Sequence, residues 1–122
     1  MKFFFSLSFI TIAVLLSACT PHPTSGVWKA TVDNDYGIDE LVIAFDGKAH
    51  FTSTKNEITD WHCFWTASSE FATELKCTPS TNPDQEENYS LTIDNQKVAL
   101  LRHNTQLIAS FTLVDKDPST EK

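Results

Sequence analysis

The feature that most constrains the fold of this chain is a short alternation of apolar and polar residues, which returns about every ten to thirteen positions. A period of two places side chains on opposite faces of a β-strand, and no stretch of useful length shows the helical period. The alternation predicts eight strands, at residues 27–33, 40–46, 49–54, 61–67, 71–78, 88–94, 97–103 and 107–114. The chain is therefore predicted to be all-β.

The turn sequences between these runs predict that consecutive strands pair. Asp46-Gly47 is a strong hairpin signal, and polar turns at 94–96 and 104–106 join two further pairs. Eight meandering strands would expose two sheet edges, which closure into a barrel removes. We therefore expect one up-and-down, eight-stranded antiparallel barrel, with one parity of each strand in the core. The predicted inward set includes Trp28, Leu41, Cys63, Leu75, Tyr89, Val98, Leu100 and Phe111.

The N-terminal residues have the three-part pattern of an export signal. Lys2 is followed by an apolar run over 3–16 and then by small residues. The run is short for a membrane span, which needs about 20 apolar residues. The sequence LSAC at 16–19 resembles the lipobox of bacterial lipoproteins. That resemblance implies cleavage before Cys19 and acylation of Cys19. Thr20 after the cysteine implies sorting to the outer membrane, with the domain facing the periplasm.

This interpretation divides the chain into four segments. We expect a signal peptide over 1–18, a lipidated tether over 19–25, the barrel domain over 26–114 and a flexible tail over 115–122. The tether contains the sequence TPHPTS, with two prolines and no apolar side chain. The lipid on Cys19 would hold the protein permanently on the membrane, because several acyl chains anchor far better than one.

The cysteine count predicts one disulfide. With Cys19 lipidated, Cys63 and Cys77 remain in an oxidising compartment. If the hairpin between the fourth and fifth strands centres on residue 70, Cys63 lies directly opposite Cys77 and both point inward.

The sequence DWHCFWTA, at 60–67, gathers two tryptophans and a histidine around one of these cysteines. At strand spacing, Trp61, Cys63 and Trp65 share one face, and His62 and Phe64 share the other. The favoured interpretation is core plus crosslink for the first face. The outward pair His62 and Phe64 is a candidate binding site.

The start of the first predicted strand resembles the motif of a known family. Gly26-Val27-Trp28 resembles the G-x-W motif of lipocalin-like (calycin-like) barrels, in which the tryptophan closes the barrel floor and a late-strand arginine packs across it. The only arginine of this chain, Arg102, lies on the predicted inward parity, where stacking on Trp28 would give it a partner. The resemblance implies a ligand-binding barrel with Trp28 and Arg102 at its site. A barrel of so few residues is expected to have a filled interior.

Charge and composition exclude several function classes. Removal of residues 1–18 leaves eight basic residues against sixteen acids, a net charge of −8. Such a surface repels phosphate backbones, so nucleic acid is not an expected partner, whereas a basic protein is. The four histidines show no metal spacing, and we expect no metal or other cofactor. No nucleophile elbow, glycine-rich phosphate loop or free reactive thiol is found, so we expect no enzyme activity.

Three functions remain open at this stage. The first is a lipid-anchored, non-catalytic binding protein for a small apolar ligand or a macromolecule. The second is an inhibitor or immunity protein against a basic cell-wall-degrading enzyme or toxin. In size, anchoring, disulfide and charge the chain is similar to the lysozyme inhibitors of Gram-negative bacteria. The third is an accessory lipoprotein of an envelope assembly.

Overall fold

The computed structural model describes residues 22–55, 57–94 and 97–120. Its eight strands are β1 (Gly26–Ala30), β2 (Glu40–Ile43), β3 (Lys48–Ser53), β4 (Thr59–Ser69), β5 (Ala72–Pro79), β6 (Glu87–Ile93), β7 (Val98–His103) and β8 (Gln106–Asp115). Each strand pairs antiparallel with the next, and β8 pairs back with β1, which closes the barrel. The predicted all-β fold, with its eight-stranded meander and one disulfide, is confirmed. The predicted signal peptide and the lipidation of Cys19 lie outside the described residues.

The interior of the barrel is packed with side chains from all eight strands. Trp28, Phe51 and Phe111 are the largest fully buried side chains. They pack in one cluster with leucines of β2, β5, β6 and β7. A small barrel has an interior just wide enough for such side chains, so the fold leaves no large central space. An inward parity is predicted for seven of the eight strands, and the structure confirms it for six of them, β1, β2, β4, β5, β6 and β8, apart from residues at their ends.

The inward parity of β7 is the exception. Its inward residues are Ala99, Leu101 and His103, which pair with the inward residues of β6. The predicted inward residues Val98 and Leu100 instead face outward and are half-buried. The run VALL is apolar on both parities, so alternation alone does not fix the face, and pairing with β6 decides it.

The β4–β5 hairpin has the register predicted from the cysteines. Cys63 pairs with Cys77 and Trp65 pairs with Leu75. A disulfide joins the two cysteines, with the Cα atoms 4.0 Å apart. A register shift near the turn, between Ala67 and Ser69, leads into the reversal. The crosslink lies in the core, since both cysteines are buried.

The chain ahead of β1 closes one end of the barrel. Residues 22–25, which we call the N-terminal plug, lie across the end where β8 finishes. Thr24 is fully buried there, and its hydroxyl lies 2.7 Å from the hydroxyl of Thr73, which points inward from β5. The sequence assigned these four residues to the tether. In the structure the side chains of His22 and Thr24 form hydrogen bonds to the barrel, which the composition of the segment does not reveal.

Gly26 allows the close approach of β1 to β8 at this end. Its φ is +139°, and a Cβ atom there would lie 2.6 Å from the carbonyl oxygen of Asp115 and 2.7 Å from Leu113 Cδ1. Only glycine fits such a position. The register of the β1–β8 pair shifts directly after it, between Val27 and Trp28.

At the opposite end, the loop between β1 and β2 covers the barrel. Ile38, a residue of this loop, is buried in the core. The Asn34 side chain accepts from the Ile38 N–H and donates to the Ile38 carbonyl oxygen, so it holds the loop in place.

After β8, Pro118 is buried in a short 3-10 turn at Pro118–Thr120. Pro118 lies within the predicted tail, 115–122.

Candidate functional site

A cavity of about 590 Å³ opens beside the N-terminal plug. We call it the end cavity. It lies at the barrel end where the plug, the β4–β5 and β6–β7 turns and the end of β8 meet. Its volume falls within the range of about 300 to 1,000 Å³ that is usual for small-molecule sites. Its wall is formed by His22, Pro23, Ser25, Trp28, Phe71, Ile93, Asp94, Lys97, Leu113 and Lys116.

The walls of the end cavity are mainly apolar. Ile93 and Leu113 lie at the ends of β6 and β8 and are half-buried, whereas Phe71 is exposed in the β4–β5 turn. Trp28 is the least exposed residue of the wall, at 1%, and its indole N–H donates to the carbonyl oxygen of Thr24 at 2.9 Å. This bond fixes the ring against the plug. Trp28 therefore lies at the barrel end that the N-terminal plug covers.

The plug is held by a chain of hydrogen bonds that begins at His22. Its Nε2 atom lies 2.7 Å from the carbonyl oxygen of Ser69, and a carbonyl can only accept. Nε2 therefore carries the proton, and Nδ1 of the neutral ring accepts from the Thr24 N–H and hydroxyl. The Thr73 hydroxyl then donates to Thr24. The side chains of His22 and Thr24 are thus satisfied by each other and by the barrel.

Ser25 is different from its neighbours in the plug. It is 5% exposed, and its hydroxyl has no hydrogen-bond partner among the described residues. A buried hydroxyl without a partner costs about 1 to 3 kcal/mol. Because Ser25 lines the end cavity, a ligand with a polar group at that depth would supply the missing hydrogen bond.

Two lysine side chains bring positive charge to the end cavity. Lys97, in the β6–β7 turn, and Lys116, directly after β8, both line it and are exposed. Asp94 also lines the cavity, but one of its carboxylate oxygens accepts from the Val98 N–H at 3.0 Å and so supports the turn. The end cavity therefore combines an apolar body, one buried hydroxyl and two ammonium groups.

Arg102 is not part of this site. It faces outward on β7, where its guanidinium donates to the Thr92 hydroxyl at 2.9 Å. The predicted stacking of Arg102 on Trp28 is wrong, because the inward parity of β7 is the other one. Trp28 finds its polar partner in the plug instead.

The remaining predicted residues lie apart from the end cavity. His62 and Phe64 are on the outer face of β4, as expected, and the Phe64 ring is 68% exposed. Cys63 and Cys77 serve as the crosslink behind them. Phe64 lies between Lys48 of β3 and Lys76 of β5, which are its two cross-strand partners.

A polar network at the opposite end of the barrel was not predicted. His103 lies 2.9 Å from a carboxylate oxygen of Glu87 through Nε2, and 3.3 Å from the Tyr36 hydroxyl through Nδ1. These contacts tie the β1–β2 loop to β6 and β7. None of the three residues lines the end cavity. The sequence could have indicated this network only through the inward position of His103. Because the preceding run, VALL, is apolar on both parities, the sequence does not show that His103 points inward.

Comparison with known proteins gives one partial match. The family model described as the Tir chaperone protein (CesT) family matches residues 68–122, which is 55 of 122 residues. The segment holds β5 to β8 but lacks β1, with which β8 pairs. It is less than half of the chain and does not place the chain in that family. No curated protein and no solved structure matches this chain.

Two further properties concern the described residues only. Among them, no helix has the length and apolar character needed to cross a membrane. Within 22–55, 57–94 and 97–120, no three histidine, cysteine, aspartate or glutamate side chains are grouped to hold a metal ion.

Proposed function

We propose that this protein is a non-catalytic binding lipoprotein of the cell envelope, whose end cavity takes a small amphipathic molecule. The observation that carries the proposal is an apolar cavity of about 590 Å³ with a buried hydroxyl, that of Ser25, which has no hydrogen-bond partner in the part of the chain that the structure describes. Binding sites of this kind join a large apolar wall to a few placed polar groups.

The lining residues favour a ligand with an apolar body and an anionic or hydrogen-bonding head. Each methylene moved from water into the apolar part gains about 0.8 kcal/mol. The ammonium groups of Lys97 and Lys116 attract a carboxylate or phosphate, although in exposed positions such pairs contribute only about 0 to 1 kcal/mol each. The apolar body would therefore supply most of the affinity, and the head would select the orientation.

The proposed lipid anchor gives this ligand class a source. Cys19, the predicted lipidated residue, is three positions before His22, which lines the cavity. Three residues span at most about 11 Å of extended chain. Anchoring through Cys19 would hold this end of the barrel close to the bilayer, where amphipathic molecules are concentrated. Blocking lipidation by Cys19→Ala should release the protein from the membrane fraction, and retention there would contradict the anchor.

The test of the cavity uses protein that begins at Thr20, with saturated fatty acids and the fatty alcohols of the same lengths. Native mass spectrometry and melting temperature report binding. We expect a higher melting temperature with both series, tighter binding with each added methylene, and a preference for the acids. No shift with any member of either series would contradict the proposal.

Two matched pairs of variants locate the bound molecule. Ile93→Trp fills the end cavity and should abolish binding, whereas Leu107→Trp places the same bulk at an exposed position at the opposite end and should not. Lys97→Gln should weaken the acids but not the alcohols, and Lys76→Gln on the outer face should change neither. Equal effects within a pair would show that binding is elsewhere.

A protein partner is the second candidate. The matched family is one of chaperones, by its printed description, and the net charge of −8 after cleavage suits a basic partner. An inhibitor, an immunity protein or an assembly accessory would all bind through a surface rather than the end cavity. Crosslinking in the native envelope distinguishes this class, because Ile93→Trp should leave a surface-bound partner in place.

A further inference from the structure

Two histidines face each other on the outer surface of the barrel. His50 of β3 and His62 of β4 are direct cross-strand partners, and both are exposed. They lie on the outer face of the wall, whereas the end cavity is lined by other residues. The sequence did not show this pairing, because the two residues are twelve positions apart and meet only through the register of β3 and β4.

We propose that His50 and His62 form a two-imidazole site for a divalent transition-metal ion, Cu²⁺ or Zn²⁺. Side chains directly opposite each other on antiparallel strands have Cβ atoms about 4.5 to 5.5 Å apart. Two imidazole rings from such positions can turn toward one ion, which they bind at about 2.0 to 2.1 Å. Imidazole suits copper and zinc, whereas Ca²⁺ and Mg²⁺ require oxygen ligands.

The strands that carry the two rings hold them in place. β3 and β4 pair over six consecutive residue pairs, from Lys48 with Phe64 to Ser53 with Thr59. Cys63, next to His62, is crosslinked to β5. The backbone under the site therefore cannot slip in register without breaking the core. Binding therefore requires no ordering of the backbone, which favours chelation.

The charges around the site have both signs. Asp60 lies two residues before His62 on the same face and diagonal to His50. One of its carboxylate oxygens accepts from the Thr52 hydroxyl at 2.8 Å, which leaves the negative charge of the group beside the site. Lys48, on the other side, is two residues before His50. Asp60 favours a bound cation, and diagonal neighbours on paired strands are typically about 7 to 8 Å apart, which suits contact through water or by a change of rotamer.

Two protein ligands leave open positions on the ion. Zinc is usually four-coordinate, so water would complete the shell. This arrangement agrees with the finding that no group of three ligating side chains occurs among the described residues. Such a site resembles an open metal site rather than a closed structural one, and a donor from another molecule can occupy the remaining positions.

The experiment titrates the purified protein with CuCl₂ or ZnCl₂ at neutral pH and follows the histidine ring signals by NMR. We expect the signals of His50 and His62 to change together at one equivalent of metal, and the Cu²⁺ electron paramagnetic resonance spectrum to show two nitrogen ligands. Acidification that protonates the imidazoles should release the ion. Changes confined to His22 or His103, or no change at all, would overturn the proposal.

Variants decide whether the opposed geometry matters. Removing a group that only hydrogen-bonds to a metal ligand costs about 10- to 100-fold in metal affinity. Removing a ligand should cost at least as much, so we expect His50→Gln and His62→Gln each to weaken metal binding at least about tenfold. The exchange variant His62→Phe/Phe64→His keeps the composition but moves the ring out of register with His50. It should bind as weakly as His62→Gln. If the exchange variant binds like the wild type, the metal is held by scattered histidines and the proposal is wrong.

Discussion

At the scale of single residues, Tyr89 shows how the barrel interior changes the chemistry of a side chain. Its ring is buried, with ring centroids 5.7 Å from Phe51 and 6.3 Å from Trp61. Burial raises the pKa of the Tyr89 hydroxyl, and the neighbouring Tyr36 and Glu87 raise it further. The cause is that a phenolate would lose its hydration and face negative charge. Tyr89 therefore stays neutral in the folded protein at a pH where free tyrosine ionises.

This pKa shift predicts a loss of stability at alkaline pH. The unfolded chain ionises Tyr89 near pH 10, the ordinary value of about 10 for tyrosine. Above about pH 10 the unfolded state binds fewer protons than the folded state. The free energy of unfolding should then fall by up to about 1.4 kcal/mol per pH unit. Below about pH 10 the contribution is fully present. Urea unfolding between about pH 9 and pH 11 measures it.

The control for this prediction is Tyr89→Phe, which keeps the buried ring and removes the hydroxyl. Its stability should decline less over the same pH range. A decline equal to that of the wild type would show that other groups cause it.

The limits of prediction at the residue scale are visible at Trp28 and Arg102. The position of Trp28 followed from its alternation and its G-x-W motif, because burial of an indole is a strong local preference. Arg102 was placed on the wrong face because Val98 and Leu100 before it are as apolar as Ala99 and Leu101. Where both sets of alternate residues are apolar, pairing with the neighbouring strand decides which set faces the core. A single sequence does not show that pairing.

At the scale of elements, the β4–β5 hairpin was the part of the fold best determined by sequence. The two cysteines set its register, and the crosslink joins β4, which carries Trp61 and Trp65, to β5. The disulfide closes a loop with a sequence separation of 14. A loop of this size corresponds to about 3 kcal/mol of stabilisation.

Removal of the crosslink should therefore lower stability without changing the fold class. We expect Cys63→Ala/Cys77→Ala to reduce the free energy of unfolding by about 2 to 5 kcal/mol, and the tryptophan emission to shift to the red as the hairpin loosens. Alanine is preferred to serine because both positions are buried and a hydroxyl there would lack partners. The measurements are urea unfolding and fluorescence.

Reductant provides the control for this element. It should lower the stability of the wild type to that of the double variant and leave the double variant unchanged. A wild-type protein whose unfolding midpoint ignores reductant would contradict the role of the crosslink.

The N-terminal plug is the element that sequence reasoning missed. Its residues are polar and follow proline, which is typical of a linker. What orders them is a set of hydrogen bonds from His22 and Thr24 to Ser69 and Thr73, which are 47 and 49 positions away. Local composition carries no record of such distant partners. The end cavity escaped prediction for the same reason, since its wall joins the plug to the ends of strands far apart in sequence.

At the scale of the whole molecule, closure of the barrel makes every strand a central strand. β1 and β8 pair through four residue pairs, from Val27 with Asp115 to Ala30 with Phe111. No strand therefore presents a free edge, and the first and last strands depend on each other. An isolated two-stranded hairpin is at best marginally stable in water, so none of the eight strands is expected to be stable without its neighbours. Loss of any strand should release the whole core, and unfolding should be a single transition.

A proline in the last strand tests this closure. Thr112 is exposed on β8 and pairs with Lys29 of β1 on one side and Val98 of β7 on the other. Thr112→Pro removes a backbone donor from a strand that is paired on both sides, where proline is not tolerated. We expect a loss of about 3 kcal/mol or more. Thr112→Val keeps the donor and the strand propensity and should change stability by no more than about 0.5 kcal/mol.

The location of the damage decides between a closed barrel and an open sheet. Trp61 and Trp65 lie on β4, which is not a neighbour of β8. In a closed barrel their emission should report the same lowered urea midpoint as the backbone signal of circular dichroism, because β8 cannot leave without opening the core. In an open sheet β8 would fray alone, and the tryptophan midpoint would stay at the wild-type value. An unchanged tryptophan midpoint in Thr112→Pro would thus contradict closure between β1 and β8.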